Sequence, residues 1–161
     1  MESSAPLSRQ RASKRRARPI PVSVGVDVAS VAEIAAALSR FGDHYISRVF
    51  TKHEAAYCRQ AAEPVAAARF AVRFAAKEAA LKALQPESGG IDWRDIEVRS
   101  GRSGRCSLLL HRQAASVAAR RGVEHLALSM SHDGGVAAAV VVAVCGQPLK
   151  RRERRRASPH R

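Results

Sequence analysis

Apolar and polar residues alternate along Val22-Ser23-Val24-Gly25-Val26-Asp27-Val28, the two-residue period of a strand. The valines fall on one face, and Ser23, Gly25 and Asp27 on the other. From about Ser30 to Phe41 the period becomes helical, with Val31, Ile34, Ala35 and Leu38 on one side and Gly42 ending the run. Tyr45 to Phe50 reads as a short apolar connection. Thr51 followed three residues later by Glu54 is a capping box, which predicts a helix through about Ala61. Pro64 stands where a helix start tolerates proline, and the helix it opens runs to about Leu84. Between Arg73 and Leu84 that helix is rich in Ala, Leu, Lys and Glu and free of β-branched residues. Phe70, Phe74, Leu81 and Leu84 form one stripe on a 3.6-residue period. Lys77 interrupts the stripe; Glu78 and Lys82 lie on one flank of it and Arg73 on the other.

The second half is richer in strands. Gln85 to Gly90 reads as a loop, Ile91 to Val98 as a strand, Ser100 to Gly104 as a turn and Cys106 to Leu110 as the return strand of a hairpin. Ala114 to Arg121 is a short helix closed by Gly122. Leu126 to Met130 is a strand, Ser131-His132-Asp133-Gly134-Gly135 a turn, and Val136 to Val144 a nearly continuous apolar run. Such a run suits a central strand covered on both faces. No internal repeat is visible. The pattern predicts an α+β fold: an antiparallel sheet with one long packed helix.

A chain of 161 residues suits a single domain with a full core. Its formal charge of +14 is unevenly spread. Residues 1–21 hold six Lys/Arg against one acid, and residues 147–161 hold seven against one, which leaves a body near +3. Residues 1–21 therefore read as a disordered basic arm, 22–146 as the domain, and 147–161 as a disordered basic tail. Basic ends attract nucleic acid or anionic surfaces, but these contain no aromatic residue on which a base could stack. A basic nucleic-acid-binding protein is thus the rival reading, and the weaker one. Deleting residues 1–19 and 148–161 would abolish such binding. Cys58, Cys106 and Cys145 are odd in number and follow no metal or redox spacing, which suits a reducing cytoplasm. No apolar run approaches the roughly 20 residues that span a bilayer. No apolar segment of a secretory signal follows the N-terminal charges, while the Ser- and Arg-rich residues 3–18 leave an organellar leader open.

Three constellations could carry chemistry: Gly25-Val26-Asp27, Arg73 through Lys82, and Ser129 through Asp133. Each has a plainer reading. Asp27 could cap the helix that follows it. Glu78 and Lys82 could be a surface pair four residues apart. His132 could be a structural turn residue. Ser131, His132 and Asp133 are adjacent and so are no catalytic triad, whose members are aligned by the fold.

Taken in order, the three resemble the holo-acyl-carrier-protein synthase type of 4′-phosphopantetheinyl transferase. That family carries a Gly-x-Asp strand, a helix of the form Arg-Phe-x-x-Lys-Glu-Ala-x-x-Lys-Ala, and a Ser-x-Ser-His turn before a buried strand. Here these are Gly25-x-Asp27, Arg73-Phe74-x-x-Lys77-Glu78-Ala79-x-x-Lys82-Ala83 and Ser129-x-Ser131-His132, with Phe50-Thr51 and Glu54 fitting the short middle segment. The resemblance spans about residues 22–145.

It implies an enzyme that transfers 4′-phosphopantetheine from coenzyme A to a serine of an apo acyl carrier protein, releasing adenosine 3′,5′-bisphosphate. Mg²⁺ would neutralise the pyrophosphate, and Asp27 and Glu78 match the family's metal ligands. Lys82 would pair with phosphate oxygens. Arg73 and His132 would hold the phosphates of the nucleotide end, and the loop reaching Gly90-Ile91 would pass near the cofactor. A metal-bound water or Glu78 would take the serine proton. Lys77 has no chemical step. Small members of the family assemble as trimers with active sites between subunits, so a homotrimer is expected, docking an acidic carrier of fatty acid, polyketide or other lipid metabolism. Two departures stand out. Glu33 lies six residues after Asp27, where the family often has a base, and Gln85-Pro86-Glu87-Ser88-Gly89-Gly90-Ile91 is longer than the family's Gly-x-Gly-Ile. They suggest an unusual carrier preference. An inactive relative acting only as a subunit is the third reading.

Overall fold

The computed structural model describes residues 21–86, 90–101 and 104–146. The basic arm up to residue 20, the tail 147–161 and residues 87–89 of the loop before Ile91 lie outside the described residues. The elements run β1 (Val22–Ser30), α1 (Val31–Val49), α2 (Lys52–Arg59), α3 (Val65–Leu84), a 3-10 turn (Trp93–Asp95), β2 (Ile96–Ser100), β3 (Cys106–Leu110), α4 (Arg112–Arg120), β4 (Val123–Asp133) and β5 (Val136–Cys145). All strand pairs are antiparallel: one sheet has the order β1-β5-β4, and β2-β3 form a separate hairpin. The α+β expectation, an antiparallel sheet with a long packed helix, is met.

The core lies between α3 and the larger sheet. Ala71, Ala75, Ala76, Ala79 and Ala80 of α3 are fully buried, as are Ala137, Val141 and Ala143 of β5. Small side chains on both surfaces let helix and strands approach closely. Gly25 takes this to its limit. A Cβ at that position would stand 1.9 Å from the Ala79 carbonyl oxygen and 2.7 Å from the Ala83 nitrogen, so only glycine fits.

Several elements differ from the sequence expectation, each for a local reason. The first helix does not stop at Gly42. That residue adopts φ 50° and ψ −131°, and a second helical stretch continues to Val49 past the kink. Tyr45 to Val49 is therefore helix, not a connection. The segment from Ile91 begins with a 3-10 turn, where the Asp92 side chain accepts from the Arg94 nitrogen at 2.8 Å, and the strand starts only at Ile96. β4 extends through Ser131, His132 and Asp133, leaving Gly134-Gly135, both at positive φ, as the two-residue turn. Ser30, not Asp27, caps α1, its hydroxyl accepting from the Glu33 nitrogen at 3.3 Å. The capping box is present as expected: the Thr51 hydroxyl accepts from the Glu54 nitrogen, and the Glu54 carboxylate accepts from the Thr51 nitrogen.

β5 is central, but within one chain it is covered on one face only. The opposite face of the sheet carries Val22, Val24, Val26 and Val28 at 52–61 % exposure, with Val136 and Val140 beside them. These valines form a contiguous apolar face on the side of the sheet away from α3.

Candidate functional site

The valine alternation of β1 sends Ser23, Gly25, Asp27 and Ala29 toward α3. Because Gly25 lets the strand lie flush on the helix, Asp27 comes up beside the helical turn that ends in Lys82. The Lys82 ammonium donates to Asp27 Oδ1 at 2.8 Å and to the Val26 carbonyl at 3.0 Å. Two of its three N–H groups are thereby engaged, and the side chain remains half exposed. Glu78, one turn earlier on the same face, is partly buried. Its carboxyl is pushed above the ordinary value of 4.5, first by burial and then by the Asp27 charge, with Lys82 opposing. The structure therefore unites Asp27, Glu78 and Lys82. The partner of Lys82 is Asp27, across 55 residues of sequence.

Two neighbouring carboxylates beside one half-exposed ammonium form a hard oxygen donor set with open sides. Mg²⁺ binds through one or two protein carboxylates and keeps several waters, so Asp27 and Glu78 fit it. Among the described residues no group of three or more His, Cys, Asp or Glu side chains could hold a metal. The tightly dehydrated sites of zinc-type ions are thus not what this pair resembles.

Arg73 and His132 stand elsewhere. Arg73 is buried on the flank of α3 that faces α2 and β2. It donates to the Ser100 hydroxyl at 2.8 Å and the Arg69 carbonyl at 3.1 Å, and its guanidinium lies 4.2 Å from the Tyr57 ring centre. Its Nε has no hydrogen-bond partner. His132 sits on β4 opposite Ala137, whose other neighbour is Ala29 of β1. It therefore faces the same side of the sheet as Asp27, but from the far edge, two strand spacings across and two residues along, about 12 Å away. There it lines a cavity of about 410 Å³ with Val31, Pro64, Val65, Ala68, Asp133 and the Gly134-Gly135 turn. One chain does not bring Arg73 or His132 to the Asp27 group. Gly90 is exposed, with open space around its Cα.

Lys77 has a buried partner that the sequence reading did not assign. It is fully buried and ion-paired at 2.8 Å with an equally buried Glu54. The signal was present. A lysine inside an apolar stripe requires a buried carboxylate, although nothing local in the sequence singles out Glu54 as that partner.

Residues 23–145 match the family described as the 4′-phosphopantetheinyl transferase superfamily. The holo-[acyl-carrier-protein] synthase of Koribacter versatilis is 42 % identical over 119 residues, covering 73 % of this chain and 94 % of its own. That of Anaeromyxobacter dehalogenans is 45 % identical over 123 residues, covering 74 % and 92 %. Among solved structures, the ACPS–CoA complex of Chronobacterium ammoniagenes superposes with a TM-score of 0.69 at 30 % identity, covering 79 % of this chain and 99 % of that one.

Proposed function

Because the chain belongs to the 4′-phosphopantetheinyl transferase superfamily, in its holo-acyl-carrier-protein synthase type, we propose that it transfers 4′-phosphopantetheine from coenzyme A to a serine of an apo acyl carrier protein. The observation that carries this reading is the convergence of Asp27, Glu78 and Lys82 from two elements, held by the glycine contact between β1 and α3.

In the reaction the serine Oγ attacks the β-phosphorus of coenzyme A. The bond between that phosphorus and the bridging oxygen breaks, and adenosine 3′,5′-bisphosphate leaves. Asp27 and Glu78 would hold Mg²⁺, which when bound neutralises the pyrophosphate charge. Lys82, fixed by the Val26 carbonyl and Asp27, offers its remaining N–H to a phosphate oxygen and keeps the phosphorus in line. The serine proton would pass to a water beside the Asp27–Glu78 pair or to a Glu78 oxygen left free by the metal. The cavity beside His132 would take the nucleotide end.

A homotrimer follows from the same reading. His132 lies at the sheet edge away from Asp27, so a complete cleft needs Asp27, Glu78 and Lys82 from one subunit and His132 from the next. The exposed valine face supplies the apolar surface for assembly. Among the described residues no helix is long and apolar enough to cross a membrane. The test is phosphopantetheinylation of an apo carrier protein followed by intact mass, with Asp27→Ala and Glu78→Ala as the deciding variants.

A further inference from the structure

Lys82 already places a cation on the carboxylate that a metal would use. Its ammonium donates to Asp27 Oδ1 at 2.8 Å and to the Val26 carbonyl at 3.0 Å, so it rests against two oxygens of one strand. The Asp27 side chain is only 16 % exposed, whereas that of Lys82 is 52 % exposed. The lysine therefore lies on the solvent side of the carboxylate. Mg²⁺ binds a carboxylate oxygen at about 2.0–2.1 Å and brings a shell of waters with it. The lone pair that Oδ1 gives to the ammonium is not free for such an ion.

Charge points the same way. With both acids ionised, Asp27, Glu78 and Lys82 together carry one negative charge. A dication added beside the ammonium turns this into one positive charge, and two cations around one carboxylate repel. A dianionic pyrophosphate reverses the balance and offers the ammonium new acceptors. Lys82 can take them, because its stem is flexible and half exposed. The Val26 carbonyl stays in place as a pivot, since β1 is held in register by β5 with Val26 opposite Val140.

We infer that Lys82 is an internal counter-ion that competes with the metal for Asp27, and that moving its bond from Asp27 to a phosphate oxygen couples metal binding to coenzyme A binding. This rests on the transferase reading of the site and adds to it. The bond between Lys82 and Asp27 belongs to the metal-free protein. In the complex the same ammonium serves the phosphate, and metal and cofactor raise each other's affinity by an equal factor.

Mn²⁺, a dication that also favours carboxylate oxygen and water, serves as the probe and is counted by electron paramagnetic resonance. It is titrated into the natural chain, Lys82→Met and Lys82→Gln, after melting curves show each folded. Each titration is run without coenzyme A and with coenzyme A saturating for that chain, the cofactor's own Mn²⁺ binding being subtracted from a protein-free blank. Without coenzyme A, both neutral variants are expected to bind Mn²⁺ about tenfold or more tighter than the natural chain. With coenzyme A, the difference shrinks to within about twofold. Variants that bind Mn²⁺ no tighter without coenzyme A overturn the inference, because Lys82 then does not compete. So does a gain of equal size in both conditions, which marks a through-space charge effect and not a surrendered bond. A natural chain that binds no coenzyme A defeats the transferase reading and the coupling with it; competition for Asp27 is still judged by the titrations made without cofactor.

Discussion

Gly25 and Ala79 touch backbone to backbone: a Cβ at position 25 would lie 1.9 Å from the Ala79 carbonyl oxygen. This contact sets how close β1 comes to α3, and so whether Asp27 reaches Lys82. Gly25→Ala must push strand from helix. The expected cost is about 3 kcal/mol or more of stability, read as a lowered midpoint in urea, with transfer activity lost even in the fraction that stays folded. A variant of unchanged midpoint and activity would show that the close approach is not needed.

Lys82→Met removes the ammonium that bridges the Val26 carbonyl and Asp27. Transfer is expected to fall about 100-fold or more, with stability little changed, because the lysine side chain is half exposed. Steady-state kinetics beside a melting curve separate the two effects. A parallel loss of stability and activity would assign Lys82 to the fold instead.

Glu78 gives a pH dependence whose sign is fixed. Its carboxyl sits above the ordinary value of 4.5, chiefly through burial and then through Asp27. The folded state therefore holds this proton more tightly than the unfolded state. Without metal, ionising Glu78 costs stability as pH rises from about 4.5 through the raised folded value. Over that window Glu78→Gln should gain stability relative to the natural chain, and Asp27→Asn should shrink the difference. Because Mg²⁺ competes with the same proton, its stabilising effect should grow with pH across the window. Melting curves with and without Mg²⁺ check both statements.

The valine face predicts assembly. Val24 is 53 % exposed on the open side of the sheet. Val24→Glu should convert a trimer to monomers by light scattering and abolish transfer, while the monomer keeps its helical circular dichroism. A trimer that survives this charge would place the interface elsewhere.

Much of this was legible in the sequence, in particular places. The capping box at Thr51 and Glu54, the alternation of β1 and the long α3 follow from local rules, and they appear as expected. Gly25-x-Asp27 and Glu78-x-x-x-Lys82 were visible as two motifs. Their union was not, because it depends on a strand–helix contact whose closeness only a three-dimensional clash reveals. The continuation of α1 past Gly42 was hidden because glycine normally ends a helix, whereas here it kinks one. The length of β4 was missed because His132 and Asp133 read as turn residues, although two glycines sufficed for the turn. Lys77 and Glu54 are 23 positions apart, and nothing local joins them; only the rule that a buried charge needs a counter-charge does.

The most direct test of the central claim is intact-mass analysis of an apo acyl carrier protein incubated with this chain, coenzyme A and Mg²⁺. The account predicts that the carrier gains the mass of one phosphopantetheine, and that the gain disappears with Asp27→Ala and with Glu78→Ala. No gain with any of several carriers, or a gain that persists in both variants, would contradict it.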